Sequence, residues 1–285
     1  MLKSLNVILF LFMILPTQAQ ESVQLYPNGV PNIIPNVSLG ANAPEFYFYK
    51  PEKQINSKVF LIIPGGGYGM VAINHEGHDL AKRLKDLGYA SFVLKYRLPV
   101  DSQMLDKRIA PIQDAQNAIV YIRQNANRLG VDLKDVVVMG FSAGGHLAST
   151  LSTHFDTSYI GSVDTKLLRP DYSVLVYPVI TMKEGITHAG SKKNLIGPNF
   201  EDEDVKRFSN ELNINSNTPP AFIIHAEDDK VVPIQNALFY KEGLDNHAVK
   251  NKFYYFQKGG HGFGMYNKLE EGDWFADMIV WLNNN

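Results

Sequence analysis

Residues 136–152 read Val136-Val137-Val138-Met139-Gly140-Phe141-Ser142-Ala143-Gly144-Gly145-His146-Leu147-Ala148-Ser149-Thr150-Leu151-Ser152. The β-branched apolar run over 136–140 predicts a strand covered on both faces, and the run over 143–152 predicts a helix. Between them, Gly140 to Gly144 form a G-x-S-x-G pattern. Small residues on either side permit the strained strand-to-helix turn that exposes the Ser142 hydroxyl. The helix N-terminus then favours negative charge beside it. Outward from this stretch the same alternation repeats. Strands are expected at 46–49, 59–63, 90–94, 173–176, 221–225 and 252–256, and helices at 77–87, 112–129, 235–244 and 274–282. In the helix over 112–129, Ile112, Ala115, Ala118, Ile119, Ile122 and Ala126 share one stripe. Strand followed by helix, repeated, implies right-handed crossovers. The fold class expected is therefore α/β, a doubly wound, mostly parallel sheet with helices on both faces. A polar, Gly-containing insert over 181–220 interrupts the alternation and is expected to cover a site.

Such sheets place reactive groups beyond the carboxyl ends of their strands. After the strand at 59–63 comes Pro64-Gly65-Gly66-Gly67-Tyr68. Acyl transfer develops negative charge on a carbonyl oxygen, and glycines bring backbone N–H groups close to it, so the N–H groups of Gly66, Gly67 and Ala143 are assigned as oxyanion donors. The loop lacks the spacing and the lysine of a phosphate-binding loop. A hydroxyl nucleophile also needs a base and an acid that orients the base, later in the chain. Asp228 and Asp229 follow the strand at 221–225. His261, between glycines, follows the strand at 252–256 and can take the Ser142 proton and return it to a leaving group. Spacing alone does not choose between the two aspartates. His146, four residues beyond Ser142 on the same helix, is either a group beside the nucleophile or a buried, hydrogen-bonded histidine. With Tyr68 it is expected to face the substrate, as an aromatic ring covers a sugar face well. His75-Glu76-Gly77-His78 does not have the H-E-x-x-H spacing, so no metal is expected, and His188 joins no constellation. The acidic run 201–204 is read as a solvated face or a helix start.

The chain has 285 residues, 45% hydrophobic and 20% charged, with 27 Lys+Arg against 29 Asp+Glu and no Cys. No disulfide framework, cysteine-ligated metal or thiol nucleophile is available. There is no basic excess to neutralise phosphates, so nucleic acid is not an expected partner. Lys3, the apolar run over 7–15 and the small Ala19 read as a signal peptide cleaved after Ala19. The run is too short to span a membrane, which leaves residues 20–285 as one catalytic domain in an exported protein.

Pro64 to Tyr68, Gly140 to Gly145, His225 to Pro233 and His261 together resemble the α/β-hydrolase superfamily. Within it, Lys95-Tyr96-Arg97-Leu98, Asp114 to Ala118, Gly140 to Ala148 and Tyr177 to Met182 resemble bacterial acetyl xylan esterase-like and feruloyl esterase-like carbohydrate esterases. The resemblance covers roughly residues 45 to 285. Its acid follows a H-G-x-x-D-x-x-V-P type pattern, which His225, Asp229, Val232 and Pro233 approximate, and this favours Asp229. The resemblance implies a serine esterase without cofactor, acting through Ser142, Asp229 and His261 on short acyl esters of plant polysaccharide. Pro64 stands where the lipase-type H-G-G-G loop has histidine. Prolyl-oligopeptidase-type peptidases share the triad order, but the chain has no space for their propeller. A catalytically silent binding protein would not need a complete Ser, Asp and His set.

Overall fold

The structure is a computed structural model and describes residues 21–285. The expected leader, with its cleavage point after Ala19, lies outside the described residues. Eight strands, β1 (Glu21–Val23), β2 (Glu45–Tyr49), β3 (Lys58–Ile63), β4 (Ser91–Lys95), β5 (Asp135–Phe141), β6 (Tyr172–Val176), β7 (Ala221–Ala226) and β8 (Asn251–Phe256), form one sheet in the order β1-β2-β4-β3-β5-β6-β7-β8. β3 to β8 are parallel, and β2 runs antiparallel to β1 and β4.

Successive residues of the central strands point to opposite faces, and each face is covered. Val59, Leu61, Val136 and Val138 pack with Ile112 and Ala115 of α2 (Ala110–Leu129), Leu147 and Leu151 of α3 (Ser142–Thr153), and Tyr240 of a helix over Gln235–Asn246. Phe60, Ile62, Val137 and Met139 pack with Leu80 and Leu84 of α1 (Asp79–Asp86) and with Trp274, Met278 and Leu282 of a helix over Trp274–Asn283. This two-sided burial is why the strands read as unbroken apolar runs.

The register places the chemistry. Ile63 pairs with Gly140, Phe141 with Val176 and Ala226 with Phe256, so the strand ends that release the glycine loop, the Ser142 turn, the Asp228-Asp229 turn and the His261 loop all open on the same edge. The expected helix over 77–87 differs in its start. Asn74–His78 form a π-helical turn leading into α1, which stops before Gly88 at φ +80°. The 181–220 insert contains α4 (Ala189–Ile196) and α5 (Asp202–Phe208), followed by a 3-10 turn at Asn210–Asn213. The acidic run opens α5, where the Asp204 carboxylate accepts from the Glu201 N–H at 3.2 Å, so the helix-start reading is the one the structure adopts. Beyond the insert the chain forms α6 (Gln235–Asn246) and, at its end, α7 (Trp274–Asn283).

Candidate active site

Ser142 is the first residue of α3 and sits at φ +51°, a left-handed conformation that costs a non-glycine residue on the order of 1–3 kcal/mol. Its neighbours make that turn possible. A Cβ on Gly144 would lie 2.2 Å from the Ile63 carbonyl oxygen and 2.3 Å from that of Pro64, so no side chain fits where the helix start crosses the end of β3. The same packing holds the glycine loop against the nucleophile.

His261 Nε2 lies 2.9 Å from Ser142 Oγ, and His261 Nδ1 lies 2.7 Å from Asp229 Oδ2. The acid can only accept, so Nδ1 carries a proton and Nε2 presents its lone pair to the serine hydroxyl. Asp229 is buried and fully engaged: Oδ1 accepts from the N–H groups of Val231 and Val232 at 2.9 Å each. His225, fully buried, places Nε2 2.9 Å from the Val232 carbonyl and 3.3 Å from Asp229 Oδ2. Burial by itself would raise the Asp229 carboxyl. The hydrogen bonds from His225 and His261 outweigh burial and hold it well below the usual carboxylate range. Asp228 does different work, accepting from the N–H groups of Gly259 at 2.8 Å and Gly260 at 2.7 Å and so bending the His261 loop into place.

In the glycine loop, Gly66 has φ +124°, and a Cβ there would meet the Met70 carbonyl oxygen at 2.2 Å. The Gly69 and Met70 N–H groups both fold back onto the Gly66 carbonyl at 3.1 Å. Among the described residues nothing accepts from the N–H of Gly66 or Gly67, and Ala143 lies in the first helical turn, where an amide has no intrahelical acceptor. Three unspent donors therefore lie around the Ser142 turn.

Tyr68 and His146 do not face a substrate. Tyr68 is 2% exposed and His146 0%, and the Tyr68 hydroxyl bonds His146 Nδ1 at 2.8 Å while His146 Nε2 donates to the Phe208 carbonyl at 2.8 Å. At φ +57° the Tyr68 side chain turns inward, and the pair ties the glycine loop to α3 and to the end of α5. The buried, hydrogen-bonded reading of His146 is the one adopted, and burial lowers its pKa to about 4.

One carboxylate beside the site had no signal in the spacing. Glu76, 4% exposed, accepts from the Gly65 N–H at 2.7 Å through Oε2 and from the Tyr177 hydroxyl at 2.7 Å through Oε1. The Tyr177 hydroxyl in turn accepts from the Gly264 N–H at 3.1 Å, and the Tyr177 ring meets His261 edge-on at 4.8 Å. Glu76 thus links the glycine loop to the His261 loop through the end of β6. Among the described residues, no three His, Cys, Asp or Glu side chains gather so as to hold a metal ion.

A serine held in a strained strand-to-helix turn, with a histidine and a buried aspartate in line, on a doubly wound sheet, is the arrangement of the α/β-hydrolase fold. More narrowly, the chain belongs to the BD-FAE family, whose model matches residues 46–244. It is 36% identical over 79% of its length to endo-1,4-beta-xylanase B of Butyrivibrio fibrisolvens, and 35% identical over 78% to an acetylxylan esterase of Xylanibacter ruminicola. The chain spans only 35% and 44%, respectively, of those relatives' own lengths. Among solved structures it resembles an acetyl ester-xyloside bifunctional hydrolase from Caldicellulosiruptor lactoaceticus, with a TM-score of 0.80 and 34% identity over 93% of this chain and 96% of that one.

Proposed function

We propose that this protein is a serine esterase that removes short acyl groups, acetyl foremost, from plant polysaccharide or oligosaccharide such as xylan. The observation that carries the reading is the relay Asp229–His261–Ser142, with hydrogen bonds of 2.7 and 2.9 Å, beside three unspent backbone donors. As His261 Nε2 removes its proton, Ser142 Oγ attacks the ester carbonyl, and the new oxyanion takes hydrogen bonds from Gly66, Gly67 and Ala143. Collapse breaks the bond to the alcohol oxygen, which receives the proton from His261. A water, deprotonated by the same nitrogen, then releases the acyl group from Ser142. The similarity to proteins named for xylan and for acetyl esters supports the choice of acyl group and alcohol.

Ser142→Ala is the test. The variant should keep the wild-type fold, lose labelling by a fluorophosphonate and lose acetate release from acetylated xylan, whereas undiminished turnover would overturn the assignment. Faster release of ferulate from feruloylated sugar than of acetate from xylan would replace acetyl by feruloyl as the acyl group. Export is part of the proposal and rests on Lys3, the apolar run over 7–15 and Ala19. A mature chain beginning at Gln20 outside the cytoplasm is the expected mass-spectrometric result. Among the described residues no helix is long and apolar enough to cross a membrane.

A further inference from the structure

His188 is the N-cap of α4, on the insert, and its ring is placed against the glycine loop. A methyl group added to Gly67 would lie 3.5 Å from His188 Cε1. The placement is braced from the same helix, because Asn194 Nδ2 donates to the Gly67 carbonyl at 2.8 Å. His188 also lies close enough to His261 and Asp229 for both to act on it electrostatically. Its protonation pattern follows from geometry. Nδ1 faces the Ser191 backbone N–H at 3.2 Å, which can only donate, and the Ser191 hydroxyl at 2.9 Å. Nδ1 is therefore the acceptor, and in the neutral ring the proton sits on Nε2. Burial, with His261 adding to it, lowers the pKa of the half-buried ring, consistent with that neutral form. Among the described residues nothing accepts from Nε2. A neutral ring thus sits on the glycine loop with Cε1 toward Gly67, and its Nε2–H has no acceptor among the described residues.

We infer that His188 is a specificity-determining residue, whose Nε2–H donates to a free hydroxyl on the alcohol portion of the ester, next to the carbon that bears the acyl group. The inference rests on the esterase reading above. In that mechanism the carbonyl oxygen is already engaged by three amides, and a short acyl chain offers no acceptor of its own. The alcohol side remains, and a partly acylated sugar presents hydroxyls there. A neutral donor suits a neutral acceptor, and a site that spends a hydrogen bond on a hydroxyl discriminates against the ester lacking it.

The test compares kcat/KM for two esters that differ by that hydroxyl, the monoacetate of trans-cyclohexane-1,2-diol and cyclohexyl acetate. The wild type should favour the hydroxylated ester by about tenfold, the worth of one good hydrogen bond. His188→Asn is the decisive variant. Its side-chain oxygen can still cap the Ser191 N–H, while the imidazole donor is gone. The ratio should fall to about one in His188→Asn, chiefly through KM, with an unchanged melting temperature. His188→Ala should show the same ratio with a lower melting temperature from the lost cap. A wild-type ratio near one, or a tenfold ratio kept by His188→Asn, overturns the inference and leaves His188 a helix cap. Acetylated xylo-oligosaccharide is run in parallel. A wild type that discriminates within the small pair but releases no acetate from the oligosaccharide overturns the polysaccharide reading and spares His188.

Discussion

At the scale of single residues, the two adjacent aspartates show how position outranks identity. Asp229 points inward, is held by two backbone amides and faces His261, whereas Asp228 points outward and caps the Gly259 and Gly260 amides. Asp229→Asn should lower kcat by roughly 10⁴-fold, the size seen when a triad acid loses its ability to fix the histidine tautomer, with KM little changed. Asp228→Asn retains an oxygen that can accept from both glycine amides, so its kcat should stay within about tenfold of wild type. Steady-state kinetics on a short aryl ester distinguish the two, and equal losses would contradict the division of labour. The spacing left this choice open because both residues follow β7 at the same turn. Only the direction in which each side chain leaves the turn separates them.

Between elements, Glu76 is the joint that holds the glycine loop and the His261 loop at one distance. Its two oxygens take one donor each, from Gly65 and Tyr177. Glu76→Gln keeps the shape but has a single acceptor oxygen, so one buried donor loses its partner at a cost of about 1–3 kcal/mol. The expected result is a kcat reduced about tenfold with KM within about twofold, read on the same short aryl ester, since the loops that hold Gly66 and His261 shift relative to Ser142. A fall in melting temperature without any change in kcat would make Glu76 a stabilising contact only. The insert is likewise tied down by polar contacts: Asn194 to Gly67, His146 to the Phe208 carbonyl, and Asn210 Nδ2 to Ser149 Oγ at 2.7 Å.

Across the whole molecule, acid should loosen the fold in two separable windows. Burial pushes His146, and likewise His154, down to about 4. Between that value and the ordinary value near 6.5 the unfolded chain binds protons that the folded chain refuses, so stability rises with pH through the window and is lost on acidification from about 6.5 toward about 4. For the fully buried His146 this amounts to about 3 kcal/mol. Asp229, held low, contributes stability that is complete above about 4 and lost only as the pH falls toward its folded value. Urea unfolding at pH 7 and pH 4 should show the first loss, and His146→Gln should flatten it. A second test concerns the fully buried pair of Arg97 and Asp114, where Arg97 Nε lies 3.0 and 3.1 Å from the two carboxylate oxygens and the Tyr26 hydroxyl adds a bond of 2.7 Å. Asp114→Ala strands a buried guanidinium and should cost about 3–5 kcal/mol by denaturant titration.

Local periodicity and local turn chemistry were sufficient for the parallel strands, the five amphipathic helices, the Ser142 turn and the glycine loop, because each of these is dictated by residues within about one element of one another. The inward turn of Tyr68, the burial of His146, the Glu76 joint and the seat of His188 over Gly67 involve partners 11 to 127 residues apart. No pattern along the chain encodes such separations. They exist only once the sheet has brought the ends of β3, β5 and β6 together and the insert has folded back across them, and it is there that the tertiary structure decides which polar groups are spent on holding the site and which are left to meet a substrate.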